Sequence, residues 1–113
     1  MKTIFRMTLA GLALAASVVF AQGFPSRAVT LIVPFPAGGP TDTVARVIAE
    51  HMRPALAQSV IVENVAGAGG MTGSVRVAHG PPDGHTFVLG SIGTHALNQT
   101  LYKRPLYNAA TDF

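Results

Sequence analysis

Three short stretches of glycine and small polar residues carry what chemistry this sequence offers. They are residues 36–42 (Pro-Ala-Gly-Gly-Pro-Thr-Asp), 64–73 (Asn-Val-Ala-Gly-Ala-Gly-Gly-Met-Thr-Gly) and 91–95 (Ser-Ile-Gly-Thr-His). Each follows an apolar run that reads as a strand and precedes a segment that reads as a helix. A helix start leaves backbone N–H groups without partners, and glycines let a ligand come close to those amides. Such a place suits an anion, a carboxylate or a phosphate. A charge-assisted hydrogen bond there contributes roughly 1.5–3 kcal/mol. In an open parallel α/β sheet all three stretches fall on the same edge, the one where ligands bind, and His95 falls there with them.

The spacing excludes several kinds of anion chemistry. A phosphate loop of the Walker type needs a lysine after its last glycine, and neither glycine cluster has one. Gly67, Gly69 and Gly73 approach the dinucleotide fingerprint, but Thr72 stands in place of its third glycine. Ser91 lacks the glycine two residues before it that a nucleophile elbow requires, because Leu89 is there. His51, His79, His85 and His95 have no metal-ligand spacing. Each stretch alone also has a plain structural reading. Residues 36–40 read as a turn, and Asp42 as compensation of a helix dipole in the first turn. Ser91 and Thr94 read as partners of strand-end and helix-start backbone groups. Asp42 would repel a carboxylate at contact distance, so a role in binding would run through a water or a solute hydroxyl.

The elements that must position these stretches are legible from the apolar pattern. Residues 29–35 are apolar and β-branched without alternation, a strand buried on both faces, with Pro34 near its last paired residue. A helix is expected from Thr41 and Asp42 to about Gln58, with Thr41 as its cap. Its apolar positions Val44, Val47, Ile48, Met52, Ala55 and Leu56 recur at three and four, predicting one buried stripe. Arg46, Glu50 and Arg53 fall on the solvent side, where Glu50 can pair with either arginine, and Pro54 should kink or end the helix. A strand at 60–63, a weakly periodic helix at 71–79, a turn at 80–84, a strand at 86–90 and a short helix at 95–102 capped by Thr94 complete the order. β-α-β-α-β-α implies parallel pairing with right-handed crossovers.

The first residues read as an export signal. Lys2 and Arg6 give a positive start, residues 7–20 are apolar and uncharged, and Val19-Phe20-Ala21 offers small residues for cleavage after Ala21. This apolar run is shorter than the roughly 20 residues needed to span a bilayer. The chain of 113 residues carries +3 overall. Without Lys2 and Arg6, six basic residues face five acidic ones, about +1. With no basic stripe there is no footprint for nucleic acid. Cysteine is absent, so an exported form has neither disulfides nor a lipidated N-terminal cysteine.

Four separated motifs together resemble one family. Residues 31–46 (Leu-Ile-Val-Pro-Phe-Pro-Ala-Gly-Gly-Pro-Thr-Asp-Thr-Val-Ala-Arg), 60–70, 82–86 (Pro-Asp-Gly-His-Thr) and 93–98 (Gly-Thr-His-Ala-Leu-Asn) look like the tripartite tricarboxylate transporter substrate-binding receptors, the Bug family. The likeness continues through Leu101-Tyr-Lys and Thr111-Asp-Phe113. It implies a periplasmic receptor of type II periplasmic-binding-protein fold whose two α/β lobes close around a small organic acid. By the same likeness, Phe35, Ala37, Gly38, Gly39 and Thr41 form the first clamp loop, with Asp42 lining the site through water. Ala66, Gly67, Gly69 and Gly70 form the second loop. Ser91 and Thr94 offer hydroxyls, and His95 and Asn98 lie near the rim. Pro40 departs from the family at a common glycine, and Val65 at a position that is often basic.

The expectation is therefore a signal peptide at 1–21 and, at 22–113, the first part of lobe one, with the second lobe absent. The expected function is capture of a di- or tricarboxylate or an amino acid in the periplasm, for membrane transporter subunits or a sensor. No catalysis, cofactor, metal, nucleic acid or membrane insertion after signal removal is expected. The chain alone should bind weakly or not at all and fold poorly. The competing class is an exported hydrolase-like α/β enzyme acting on a small anion. A purely structural domain would not need three such loops.

Overall fold

A computed structural model of the chain describes residues 23–113; the expected signal peptide lies outside the described residues. In chain order it contains β1 (Val29–Val33), α1 (Pro40–Leu56), β2 (Val60–Asn64), a 3₁₀ turn (Ala68–Gly70), α2 (Met71–Ala78), β3 (Thr86–Val88), a π-type turn (Gly93–Leu97) and α3 (Asn98–Leu101). The strands form one parallel sheet in the order β2-β1-β3. Val29 to Val33 face Val60 to Asn64 on one side, and Thr30 to Ile32 face Thr86 to Val88 on the other. The expected α/β architecture is thus present. β1 is the central strand, and Val29, Leu31, Ile32 and Val33 are all buried. That is why its sequence does not alternate: neither face meets water.

β1 ends at Val33, two residues earlier than expected, because Pro34 has no N–H to continue the ladder. α1 starts from Gly39 in extended conformation with Pro40 in the first turn. This corrects the expected cap at Thr41. Proline suits a first helical turn because the N–H it lacks would have no partner there. Pro54 lies inside the helix, which runs two residues further and closes on Ala57 in the left-handed region. Glu50 selects Arg53 as its partner, at 2.6 Å. In the third unit Thr94 lies inside the π-type turn and is not its cap. Winding begins earlier because Ser91 and Thr94 bond each other's backbone.

The largest correction concerns the buried face of α1. Val44, Val47 and Ile48 are exposed, while Asp42, Ala45 and Ala49 are buried and Met52 and Leu56 are half-buried. The packed stripe therefore runs through 42, 45, 49, 52 and 56, displaced from the bulkier apolar positions. Its alanines meet Leu31, Val33 and Val60 in the core, with Phe35, Val62, Phe87 and Leu89 around them. Short side chains let the helix lie close on the sheet. Enlarging one should overfill the gap. Ala49→Leu is expected to lower stability by about 1–3 kcal/mol, and Val47→Ala to change it by less than about 0.5 kcal/mol. Urea titration of the two variants checks this, and a larger loss for Val47→Ala would reverse the assignment of faces.

Motif 82–86 closes the other end of the sheet. The Asp83 carboxylate accepts the His85 amide at 2.9 Å and pairs with Arg27 at 2.8 Å. The His85 amide, with Arg27 behind it, holds Asp83 below the usual carboxylate range. The His85 carbonyl accepts the Thr30 amide at 2.8 Å, which fixes where β3 begins.

Candidate functional site

The three stretches emerge at the C-terminal edge of the parallel sheet, as residues 34–39, 65–70 and 89–92. Ala37, Gly38, Ala66, Gly67 and Gly69 are exposed there, Phe35, Gly39, Thr41 and Ser91 half-buried. Asp42, Gly70, Thr94 and Asn98 are buried beneath them. Among the described residues, the amides of Ala37, Ala66 and Gly67 find no acceptor. Those of Thr41 and Asp42 open α1 and have no carbonyl one turn back. The exposed edge thus carries neutral N–H donors at Ala37, Ala66 and Gly67. No lysine or arginine occurs within the three loops.

Asp42 does not face this edge as a free charge. It is 3 % exposed, and its carboxylate is fully engaged. One oxygen accepts the Gly38 amide at 2.8 Å and Arg46 Nε at 3.0 Å; the other accepts Asn64 Nδ2 at 3.0 Å. Arg46, followed by the Gly38 amide and the Asn64 amide, lowers its pKa to about 2. Asn64 also donates to the Phe35 carbonyl at 3.1 Å, so the end of β2 is tied to the first loop. Sequence reasoning placed Asp42 at the site but missed Arg46 and Asn64 as the groups that hold it. The i, i+4 spacing of Asp42 and Arg46 was the available signal for the first.

The second and third loops are joined by packing. Gly70 has φ +89°, and a Cβ there would lie 2.5 Å from Thr94 Cγ2 and 3.3 Å from Phe35 Cζ. Asn98 Nδ2 donates to the Gly69 carbonyl at 3.0 Å. Thr94 Oγ1 accepts the Ser91 amide at 2.9 Å and lies 2.8 Å from His95 Nδ1. The His95 ring is half-buried against Phe113 at 4.8 Å and Tyr107 at 6.2 Å. It lines a cavity of about 400 Å³ between the end of α2, the 80–84 turn and β3. His95 thus points behind the third loop. Tyr107 is buried and donates its hydroxyl to the Thr94 carbonyl, a role nothing in its local sequence announced. The described residues contain no cluster of three or more metal-ligating side chains and no helix long and apolar enough to cross a membrane.

Residues 44–113 match a family described as the tripartite tricarboxylate transporter family receptor. The chain belongs to this family. It is 42% identical over 113 residues to a UPF0065 protein in the tcbD-tcbE intergenic region of Pseudomonas sp. strain P51, covering 96% of this chain and 33% of that protein. It is similar to MatC (Rpa3494) from Rhodopseudomonas palustris with bound malate, at 49% identity and a TM-score of 0.77, over 80% of this chain and 31% of that one. A structure of R. palustris Rpa4515 with adipate matches at 42% identity and a TM-score of 0.75, over 79% and 30%. The chain thus spans about a third of the length of these proteins. The family and its structural neighbours are solute-binding receptors.

Proposed function

We propose that this sequence supplies the opening part of the first lobe of a periplasmic receptor for a small dicarboxylate. The observation that carries this reading is the edge of cation-free amide donors on a chain 49% identical to a malate-bound receptor. One solute carboxylate is received by the amides of the first two loops and by the Ser91 hydroxyl. Neutral dipoles bind an anion with little reorganisation when the fold fixes them in place. Asp42 takes part from behind: it aims Gly38, and Arg46 compensates its charge, so it does not repel the solute. Residues 1–21 are a cleaved export signal, and 22–113 are the opening part of lobe one. A second lobe closes over the solute and shifts an open–closed equilibrium that transporter subunits read. The role is binding and not catalysis: the hydroxyl that lies against the His95 ring, that of Thr94, is wholly buried and out of a solute's reach.

Calorimetry on a grafted receptor tests this. Residues 23–113 would replace the matching stretch of the malate-bound relative. Malate and adipate should bind saturably, amino acids and monocarboxylates more weakly by at least about tenfold, since each lost charged hydrogen bond is worth that much. The 113-residue chain alone should bind far more weakly. A folded graft that takes up no acid, beside an unmodified relative that does, would sink the reading.

A further inference from the structure

We propose that Thr94 is the joint that couples the second and third loops, and that Tyr107 is the positioning residue that holds it. The inference rests on reading this edge as a carboxylate site. Thr94 is wholly buried, so in this arrangement it offers no surface to a solute. Each part of its side chain is used differently. The hydroxyl accepts the Ser91 amide at 2.9 Å and donates to the Ser91 carbonyl at 3.2 Å, while Ser91 Oγ accepts the Thr94 amide at 3.3 Å. This reciprocal set fixes the third loop. The methyl group fills the space that Gly70 leaves by having no side chain, which fixes the second loop against the third. Only threonine carries both groups on one carbon. The Thr94 carbonyl is then claimed by the Tyr107 hydroxyl, thirteen residues on. The Tyr107 ring is seated edge-on against Phe113 at 5.5 Å, so the donor is aimed by packing. Neither residue touches solute; both set where the Ser91 hydroxyl and the second-loop amides stand.

Three substitutions separate these roles. Thr94→Val keeps a methyl and removes the hydroxyl. Thr94→Ser keeps the hydroxyl and removes the methyl. Tyr107→Phe keeps the ring and removes one O–H. Amide hydrogen exchange on the grafted receptor reads each loop directly. Thr94→Val and Tyr107→Phe should speed exchange at Ser91 about tenfold, the usual effect of one lost hydrogen bond. Thr94→Ser should instead speed exchange at Gly70 and Thr72, whose amides bond the Gly67 carbonyl. The amides of β1 should not change in any variant. A uniform change across sheet and loops, or the same pattern from both Thr94 variants, would overturn the joint. In the grafted receptor, Thr94→Ser and Tyr107→Phe should each weaken malate binding about tenfold. An unchanged affinity would overturn the positioning role. If the graft bound no acid while the exchange pattern held, the carboxylate reading would fail and the joint would stand.

Discussion

Gly70→Ala is expected to destabilise the chain by about 2–4 kcal/mol, from left-handed backbone strain and overpacking together. The added methyl would sit 2.5 Å from Thr94 Cγ2, 3.3 Å from Phe35 Cζ and 3.4 Å from the Pro34 carbonyl oxygen. Those three atoms belong to the first and third loops, and Pro34 cannot give because it is buried backbone. Relief must come from separating the loops, so solute affinity should fall with stability. Urea unfolding and calorimetry of the grafted receptor check the two effects. A variant with wild-type midpoint and affinity would show that the loops do not meet at Gly70.

Asp42→Asn is the second substitution expected to act strongly. An amide cannot replace a carboxylate that accepts from the Gly38 amide, Arg46 and Asn64 at once; its NH₂ would face another donor. The first loop should lose its set and malate affinity in the grafted receptor should drop about ten- to a hundredfold. The pH dependence follows from the depressed pKa. Asp42 titrates near 2 in the folded chain against 3.8 ordinarily. The folded state thus binds fewer protons than the unfolded one between those values, and stability from Asp42 is complete above about pH 4 to 5. It is lost as pH falls through 4 towards 2. The gap in urea midpoint between wild type and Asp42→Asn should therefore be constant from pH 5 to 7 and narrow below pH 4. A gap that persisted unchanged to pH 2 would contradict the assigned role.

Much of this was legible in residue order. The unalternating run at β1 announced a strand buried on both faces, and strand-helix alternation announced a parallel sheet whose glycine-rich loops share one edge. The errors came where short side chains beat large ones. Periodicity weighted Val44, Val47 and Ile48 by their hydrophobicity, but close packing of α1 on the sheet selected Ala45 and Ala49. Periodicity gave no account of Asp42 as a buried residue, because its burial depends on Asn64 from another element and on the Gly38 amide. The same holds for Tyr107, whose hydroxyl meets a carbonyl thirteen positions earlier through tertiary packing. Thr94 read as a helix cap because threonine before a helix usually is one; here its hydroxyl turns back to Ser91, a choice that only the preceding loop's conformation decides.

The most direct test of the central claim is a crystal structure of the grafted receptor grown with malate. One malate carboxylate should lie within hydrogen-bonding distance of amides from the 37–42 and 66–69 segments and of the Ser91 hydroxyl, with Asp42 still bonded to Arg46 and Asn64 behind them. Malate held by an arginine or lysine away from these loops, or the loops occupied by water alone at saturating malate, would contradict it.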